Sequence, residues 1–227
     1  MASPRQGKEK RPAESRPQPR LYLVTPAAAE PAALKLDLMA ALDSADVAAV
    51  LLRLPADDER AQTNRVKALA PTVQNFDAAL IVNGHPGIVA RGGADGAHLT
   101  GIAAFEDAVG SLKPDRIAGI GGLETRHDAM LAAERSADYV MFGEPRADGS
   151  VPALAQTAER AQWWAEIFNV PCVAYAADLA SVETLAPTGA EFIALGPWVF
   201  DTPDPAETVA EARRIAKARL LTMAQPG

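Results

Sequence analysis

The sequence predicts an α/β fold, a single (β/α)8 TIM barrel, because eight short apolar runs alternate with helical patterns along the chain. A small residue, an Ala and an acid precede four of these runs, roughly 45 to 50 residues apart, which is the length of about two strand–helix units. The four copies begin at Ser44, Gly93, Ser136 and Gly189. With 227 residues, 48% of them hydrophobic, the chain is long enough to fill one barrel core.

Residues 1–20 are predicted to form a disordered, basic and Pro-rich tail in front of the barrel. They contain six Lys or Arg against two Glu and no apolar segment of the kind that a secretory signal requires. We interpret this tail as a solubilising extension, with a targeting or docking role as the alternative. The barrel is placed at residues 21–221, and residues 222–227 are predicted to be a C-terminal tail.

Composition argues against several classes of partner. The net charge of −7 disfavours a nucleic-acid surface. No run of 18 apolar residues occurs, so we expect no membrane partner. The single cysteine, Cys172, lies in an apolar strand and is interpreted as a core residue. Because no disulfide can form within the chain, the sequence fits a reducing compartment, and we predict a cytoplasmic protein.

The first half of the chain contains four predicted strands, at residues 21–25, 46–54, 80–83 and 96–99. Their nearly continuous apolar character suits strands that are covered on both faces. Pro31 opens the Ala- and Leu-rich first helix. Asp57, Asp58 and Glu59 are predicted to begin the second helix, where the helix dipole favours negative charge. A turn rich in Gly and Pro leads into a short helical piece between strands 3 and 4.

The second half contains predicted strands at residues 116–121, 139–143, 172–176 and 192–196. The fourth helix follows Gly101, and Thr125 and Asp128 have the spacing of a capping box for the fifth. In the sixth helix Trp163 and Trp164 are about 100° apart, so we expect one in the core and the other at an oligomer contact. The last helix is predicted to end near residue 221.

Functional residues of such a barrel lie at the carboxyl ends of the strands. The candidates at those ends are Thr25, Arg53, Asn83, His98, Gly121, Gly122, Gly143, Ala176 and Gly196. Glycine N–H groups next to a helix start are typical of an anion site, although turns also require glycine. We interpret His98 either as a proton shuttle or as a hydrogen-bonded core histidine. His127 is either a second proton shuttle or a solvated residue at a helix start.

Four segments of the chain resemble, in order and spacing, the thiamine phosphate synthase/TenI family. They are residues 21–25, 80–83, 92–99 and 137–143. The resemblance implies a (β/α)8 barrel, commonly dimeric, that binds phosphorylated thiazole and pyrimidine intermediates of thiamine biosynthesis. It further implies either a synthase, which joins an aminopyrimidine pyrophosphate to a thiazole phosphate with Mg²⁺, or a TenI-type isomerase of the thiazole that needs no metal.

The chain departs from the family pattern where the synthase handles metal and pyrophosphate. Of the family's Gln-x-Arg-x-Lys at the end of strand 2 only Arg53 remains, with Leu51 in place of the Gln. The family's two Mg²⁺ carboxylates, after strands 3 and 4, are Gly84 and Ala103 here, and Gly121 stands in place of a Ser. Because a hard cation lacks its anchors, we predict no metal-ligating residue, and Mg²⁺ is left open as a cofactor.

Three functions therefore follow from the resemblance: a transferase of the synthase type, a metal-free isomerase, or a non-catalytic barrel that binds a phosphorylated ligand or a partner protein. We predict Arg53, Asn83 and His98 as catalytic residues. The residues predicted to bind phosphate or other parts of the ligand are Gly121, Gly122, Gly143, Arg146, Gly196 and Trp198. The indole of Trp198 either stacks on a ligand ring or packs against neighbouring structure. We expect a homodimer that binds a phosphorylated small molecule.

Overall fold

A computed structural model describes residues 18–27 and 29–224 of the chain. Most of the predicted N-terminal tail and the end of the predicted C-terminal tail lie outside the described residues. Pro19 and Arg20, which the prediction assigned to the tail, are described. The Pro19 carbonyl accepts a hydrogen bond of 2.6 Å from Arg213, and Arg20 begins the first strand.

Within the described part of the chain, eight strands alternate with eight α-helices. The strands are β1 (Arg20–Val24), β2 (Val47–Leu52), β3 (Ala79–Asn83), β4 (Gly96–Thr100), β5 (Ile117–Gly121), β6 (Tyr139–Phe142), β7 (Cys172–Ala176) and β8 (Phe192–Leu195). The helices are α1 (Pro31–Ser44), α2 (Glu59–Gln74), α3 (Val89–Gly92), α4 (Ile102–Leu112), α5 (Arg126–Glu134), α6 (Leu154–Ile167), α7 (Leu179–Leu185) and α8 (Pro205–Ala224). Short 3₁₀ turns precede α3, follow α7 and follow β8.

The strands form a closed parallel barrel in chain order, with β1 hydrogen-bonded to both β2 and β8. Closure leaves no exposed sheet edge. The predicted (β/α)8 fold is therefore confirmed. No helix in the described ranges is both long and apolar enough to cross a membrane.

Strand residues alternate between the inside of the barrel and the layer under the helices. The inner cluster contains Tyr22, Val24, Ala49, Leu51, Ile81, Tyr139, Met141, Val173, Tyr175 and Ala194. The intervening residues pack with the helices in a second, larger core. Gly119 makes room for an inner side chain, because a Cβ at this position would lie 2.0 Å from the Cζ of Tyr139.

The acid of each sequence repeat lies at the amino ends of the strands, away from the barrel mouth. In three copies its carboxylate accepts a backbone N–H near the start of the preceding strand. The bonds join Leu80 to Asp95 at 2.7 Å, Ala118 to Asp138 at 2.7 Å and Cys172 to Glu191 at 2.8 Å. In the first copy Asp46 instead pairs with Arg20 at 2.8 Å. The repeats thus fix the end of the barrel opposite the candidate site.

The four predicted strands β2, β5, β6 and β8 were too long, and for β2 and β8 the local structure shows why. β2 ends at Leu52, because the Arg53 N–H donates to the Thr25 hydroxyl at 3.1 Å instead of continuing the ladder. β8 ends at Leu195, because Pro197 opens a 3₁₀ turn. The predicted capping box of α5 is present: the Thr125 hydroxyl accepts the Asp128 N–H, and the Asp128 carboxylate accepts the Thr125 N–H.

The two tryptophans of α6 differ in their surroundings, as their positions on the helix predicted. Trp164 is fully buried, stacks on Phe168 and donates its indole N–H to the Val170 carbonyl at 2.7 Å. Trp163 is only partly buried, and the guanidinium of Arg126 lies 4.6 Å from its ring centre. The oligomer contact predicted for one of the pair stays a prediction.

Candidate functional site

The carboxyl ends of the strands form one mouth, and most of the predicted site residues lie there. Arg53 is exposed just beyond β2, and Asn83, half-buried, ends β3. Gly121 ends β5, while Gly143 and Gly196 directly follow β6 and β8. Arg53, Asn83 and the three glycines therefore surround the same opening, as expected for a barrel of this kind.

His98 lies deeper than these residues and is fully buried inside the barrel. Its Nδ1 atom lies 2.9 Å from the Tyr139 hydroxyl, which lies 2.9 Å from the Tyr22 hydroxyl. Its Nε2 atom lies 3.0 Å from Oε2 of Glu144 at the mouth. These contacts form a continuous hydrogen-bonded chain from Tyr22 to Glu144. A ligand in the mouth meets Glu144 before it reaches the histidine.

The direction of this chain follows from its two ends. The carboxylate of Glu144 only accepts, so the Nε2 atom of His98 carries the hydrogen between them. Burial raises the pKa of Tyr22 and of Tyr139 above the usual value for a tyrosine, so both phenols stay protonated and donate. Tyr22 then donates to Tyr139, and Tyr139 donates to Nδ1 of His98. The reverse direction would leave the buried Tyr22 hydroxyl without an acceptor.

Glu144 is the residue of this site that sequence reasoning missed. Its side chain is 14% exposed, and it turns back from the loop after β6 towards the end of β5. A Cβ on Gly121 would lie 2.1 Å from Oε1 of Glu144. The carboxylate therefore occupies the space that the side chain of any residue other than glycine at position 121 would fill. Oε1 is buried and has no hydrogen-bond partner among the described residues. A buried acceptor without a donor raises the free energy of the folded state, so a hydrogen-bond donor is needed at Oε1.

Tyr175 adds a phenol beside two opposite charges at the mouth. Burial raises its pKa, the positive charge of Arg53 partly counteracts that effect, and the negative charge of Glu144 adds to it. Arg53 and Glu144 therefore both act electrostatically on one hydroxyl group. That hydroxyl also lies close to Gly196, since a Cβ there would be 2.4 Å from it.

A cavity of about 640 Å³ opens beside the ends of β4, β5 and β6. This volume lies within the range of small-molecule sites. Its walls include Gly122, Met141, Gly143 and Glu144, and the loop after β6 contributes Arg146. Arg146 is exposed and donates to the Ser150 hydroxyl at 3.2 Å. Three of the predicted ligand-binding residues, Gly122, Gly143 and Arg146, thus line one cavity.

The turn after β8 offers few backbone donors for the phosphate predicted near Gly196. The Gly196 N–H donates to the Ala176 carbonyl at 3.3 Å, and Pro197 has no N–H. The half-buried indole of Trp198 also donates to the Ala176 carbonyl, at 2.9 Å, and it packs against the outer core. The indole is therefore held by neighbouring structure, and stacking of Trp198 on a ligand ring stays a prediction.

The residues at the mouth do not fit the Mg²⁺ site that the resemblance implies. Gly84 and Ala103, at the positions of the two family carboxylates, have no side-chain oxygen. In the described ranges no three His, Cys, Asp or Glu side chains form a group suited to a metal ion. A hard cation prefers several oxygen ligands, and Glu144 is already bonded to His98. His127 is exposed on the first turn of α5 and is not among the residues that line the cavity.

Comparisons with known proteins agree on one relationship. The family model described as thiamine monophosphate synthase matches residues 21–197. The chain is 39% identical to the thiamine-phosphate synthase of Rhodospirillum centenum over 204 residues, which cover 87% of this chain and 98% of that protein. It is 32% identical to the thiamine-phosphate synthase of Hyphomonas neptunium, over 87% of this chain and 93% of that one.

Solved structures show the same architecture. A thiamine phosphate pyrophosphorylase from Pyrococcus furiosus superposes with a TM-score of 0.71 at 22% identity, covering 88% of this chain and 96% of that one. An orotidine 5'-phosphate decarboxylase from Pyrococcus horikoshii gives a TM-score of 0.64 at 12% identity, over 87% of this chain and 99% of that one. At these identities the structural likeness concerns the fold.

Proposed function

The chain belongs to the thiamine monophosphate synthase family, and we propose that it binds a phosphorylated thiazole or aminopyrimidine intermediate of thiamine biosynthesis at the mouth of its barrel. The observation that carries this proposal is the cavity of about 640 Å³, which combines an exposed cation, Arg146, with polar groups at the strand ends. A guanidinium is well suited to a phosphate, because it presents several donors in one plane.

Binding at this mouth proceeds without a protein-held Mg²⁺ in our proposal. Gly84 and Ala103 supply no carboxylate, so the positive charge near the ligand comes from Arg146 and Arg160, which line the cavity, and from Arg53 just beyond β2. Loss of pyrophosphate in a synthase reaction requires neutralisation of the charge that develops as the C–O bond breaks. Guanidinium groups replace only part of that neutralisation, so we expect any transferase activity of the synthase type to be slow.

The hydrogen-bonded chain from Tyr22 to Glu144 favours a second candidate, a metal-free isomerase of the TenI type. An isomerase moves a proton and requires an acid–base group near the ligand. The sequence pointed to His98 for this role, and the structure places Glu144 between that histidine and the mouth. Catalysis by His98, Arg53 and Asn83 stays a proposal, as do the homodimer and the cytoplasmic location.

A thermal-shift panel tests the proposed function. Full-length protein is heated with thiazole phosphate, aminopyrimidine phosphate, thiamine phosphate or inorganic phosphate, each with and without Mg²⁺. We expect at least one organic phosphate to raise the melting temperature in a saturable manner in EDTA, since a ligand that binds only the folded state stabilises it. If none of the compounds stabilises the protein, with or without Mg²⁺, the remaining alternative is a non-catalytic barrel that binds a partner protein.

A further inference from the structure

We infer that Glu144 is a specificity-determining residue of this site, and that it selects a phosphorylated ligand whose aromatic ring carries an amino or N–H donor. This inference deepens the proposed function, on which it rests, because it distinguishes between the two classes of ring. An aminopyrimidine phosphate has such a donor, whereas the ring of a thiazole phosphate has none. Three features of Glu144 support the assignment.

The first feature is the unsatisfied oxygen. Oε2 of Glu144 accepts from His98, while Oε1 is buried and has no partner in the part of the chain that the structure describes. A carboxylate oxygen accepts hydrogen bonds and never donates them when ionised, so its missing partner has to be a donor. A phosphate or another anion in this position would be repelled. An amino group on a flat ring supplies the required hydrogen.

The second feature is the rigidity of the carboxylate. Its Oε2 is hydrogen-bonded to Nε2 of His98, and Nδ1 of the same histidine is hydrogen-bonded to Tyr139. Its Oε1 lies close to Gly121, where a Cβ would lie 2.1 Å away. A group held in this way loses little conformational entropy when a ligand binds, so its hydrogen bond contributes more to selectivity. His98 and Tyr139 act here through Glu144, as positioning residues.

The third feature is the distribution of charge and polarity around the cavity. Glu144 lines it together with Met141 of the inner cluster, whereas the charged residues Glu124, Arg146, Asp148 and Arg160 line it outside the barrel. A ligand with an anionic group near the guanidinium groups of Arg146 and Arg160 and a donor-bearing ring near Glu144 matches this arrangement. Leu51, which stands where the family has Gln, is an apolar member of the inner cluster and offers no hydrogen bond to a ring.

Isothermal titration of Glu144→Gln tests the inference directly. The glutamine oxygen keeps the contact with His98, and its amide nitrogen replaces the free acceptor by a donor. We expect the affinity for aminopyrimidine phosphate to fall at least about tenfold, as for the loss of a hydrogen bond to a charged group, with the affinity for thiazole phosphate unchanged. Glu159→Gln, which removes an exposed carboxylate from α6, is the matched control and should bind both ligands like the wild type.

Gly121→Ala provides a second variant that keeps the carboxylate but displaces it, because the new Cβ would meet Oε1 at 2.1 Å. It should lose the same ligand selectively. Far-UV circular dichroism confirms that each variant is folded. Equal affinity of wild type and Glu144→Gln for aminopyrimidine phosphate would overturn the inference while leaving the proposed function intact, as would binding of thiazole phosphate alone. Binding of neither compound to the wild type would overturn both.

Discussion

Nε2 of His98 lies 3.0 Å from Oε2 of Glu144, and this contact joins a histidine with no exposed surface to a carboxylate at the barrel mouth. Behind the histidine the Tyr139 and Tyr22 hydroxyls continue the same chain. The interior of this barrel therefore contains a polar column among apolar side chains. Its stability depends on every member being paired.

Tyr139→Phe is predicted to destabilise the protein by about 1 to 3 kcal/mol, because it leaves both the Tyr22 hydroxyl and Nδ1 of His98 without a partner inside the barrel. Tyr22→Phe removes only the terminal hydroxyl and is expected to cost less, about 0.5 to 1.5 kcal/mol. Urea unfolding of the two single variants and of the double variant measures these free energies. Costs that simply add in the double variant would show that the two hydroxyls are not coupled.

Gly119→Ala is predicted to destabilise the fold by about 1 to 3 kcal/mol, because its Cβ would lie 2.0 Å from the ring of Tyr139 in a packed interior. Gly110→Ala is the matched control. Gly110 lies exposed within α4, and a Cβ there would meet nothing within 4 Å. It should stabilise the protein by about 0.5 to 1 kcal/mol through helix propensity. Thermal unfolding distinguishes the two, and equal effects would refute the close packing of Gly119 on Tyr139.

The ion pair between Arg20 and Asp46 is predicted to give a small stability that depends on pH. Hydrogen bonds from Arg20 lower the pKa of Asp46 below its usual value of 3.8. A lowered folded-state pKa stabilises the protein above the unfolded-state pKa, and that stabilisation disappears as the pH falls through the folded-state value. The two side chains are 44% and 50% exposed, so we expect about 0.5 kcal/mol.

Unfolding of Asp46→Asn and wild type between pH 7 and pH 3 measures that contribution. The difference in the free energy of unfolding should be present at pH 7 and vanish towards pH 3. In the Arg20→Gln background the same Asp46 substitution should have little effect at either pH. A difference that grows as the pH falls would contradict the assignment.

The barrel was predictable from the sequence because strands buried on both faces are nearly continuous apolar runs. The predicted limits of β7 agree with the structure. The predicted β2 was too long, because a short-range pattern cannot show that the Thr25 hydroxyl accepts a hydrogen bond from the Arg53 N–H. The repeat of small residue, Ala and acid gave the strand spacing. Its physical reason, a carboxylate that accepts the N–H of a neighbouring strand, required the three-dimensional structure.

The site was predictable only in outline. Strand alternation placed His98 inside, but its complete burial depends on Glu144, which covers it from a loop. The position of Glu144 depends on the loop conformation and on the missing side chain at Gly121, and neither is visible in a hydrophobic pattern. A signal was present in the sequence: a carboxylate immediately after the glycine that follows β6, together with a glycine where the family has Ser.

The proposed function requires this mouth to bind a phosphorylated ligand without Mg²⁺. Isothermal titration of the wild type with aminopyrimidine phosphate and with thiazole phosphate, first in EDTA and then with added Mg²⁺, tests it most directly. We predict saturable binding to one site in EDTA, with the same dissociation constant when Mg²⁺ is added, because Gly84 and Ala103 provide no ligand for the metal. Binding that appears only when Mg²⁺ is present would contradict the proposal that this mouth binds its ligand without the metal.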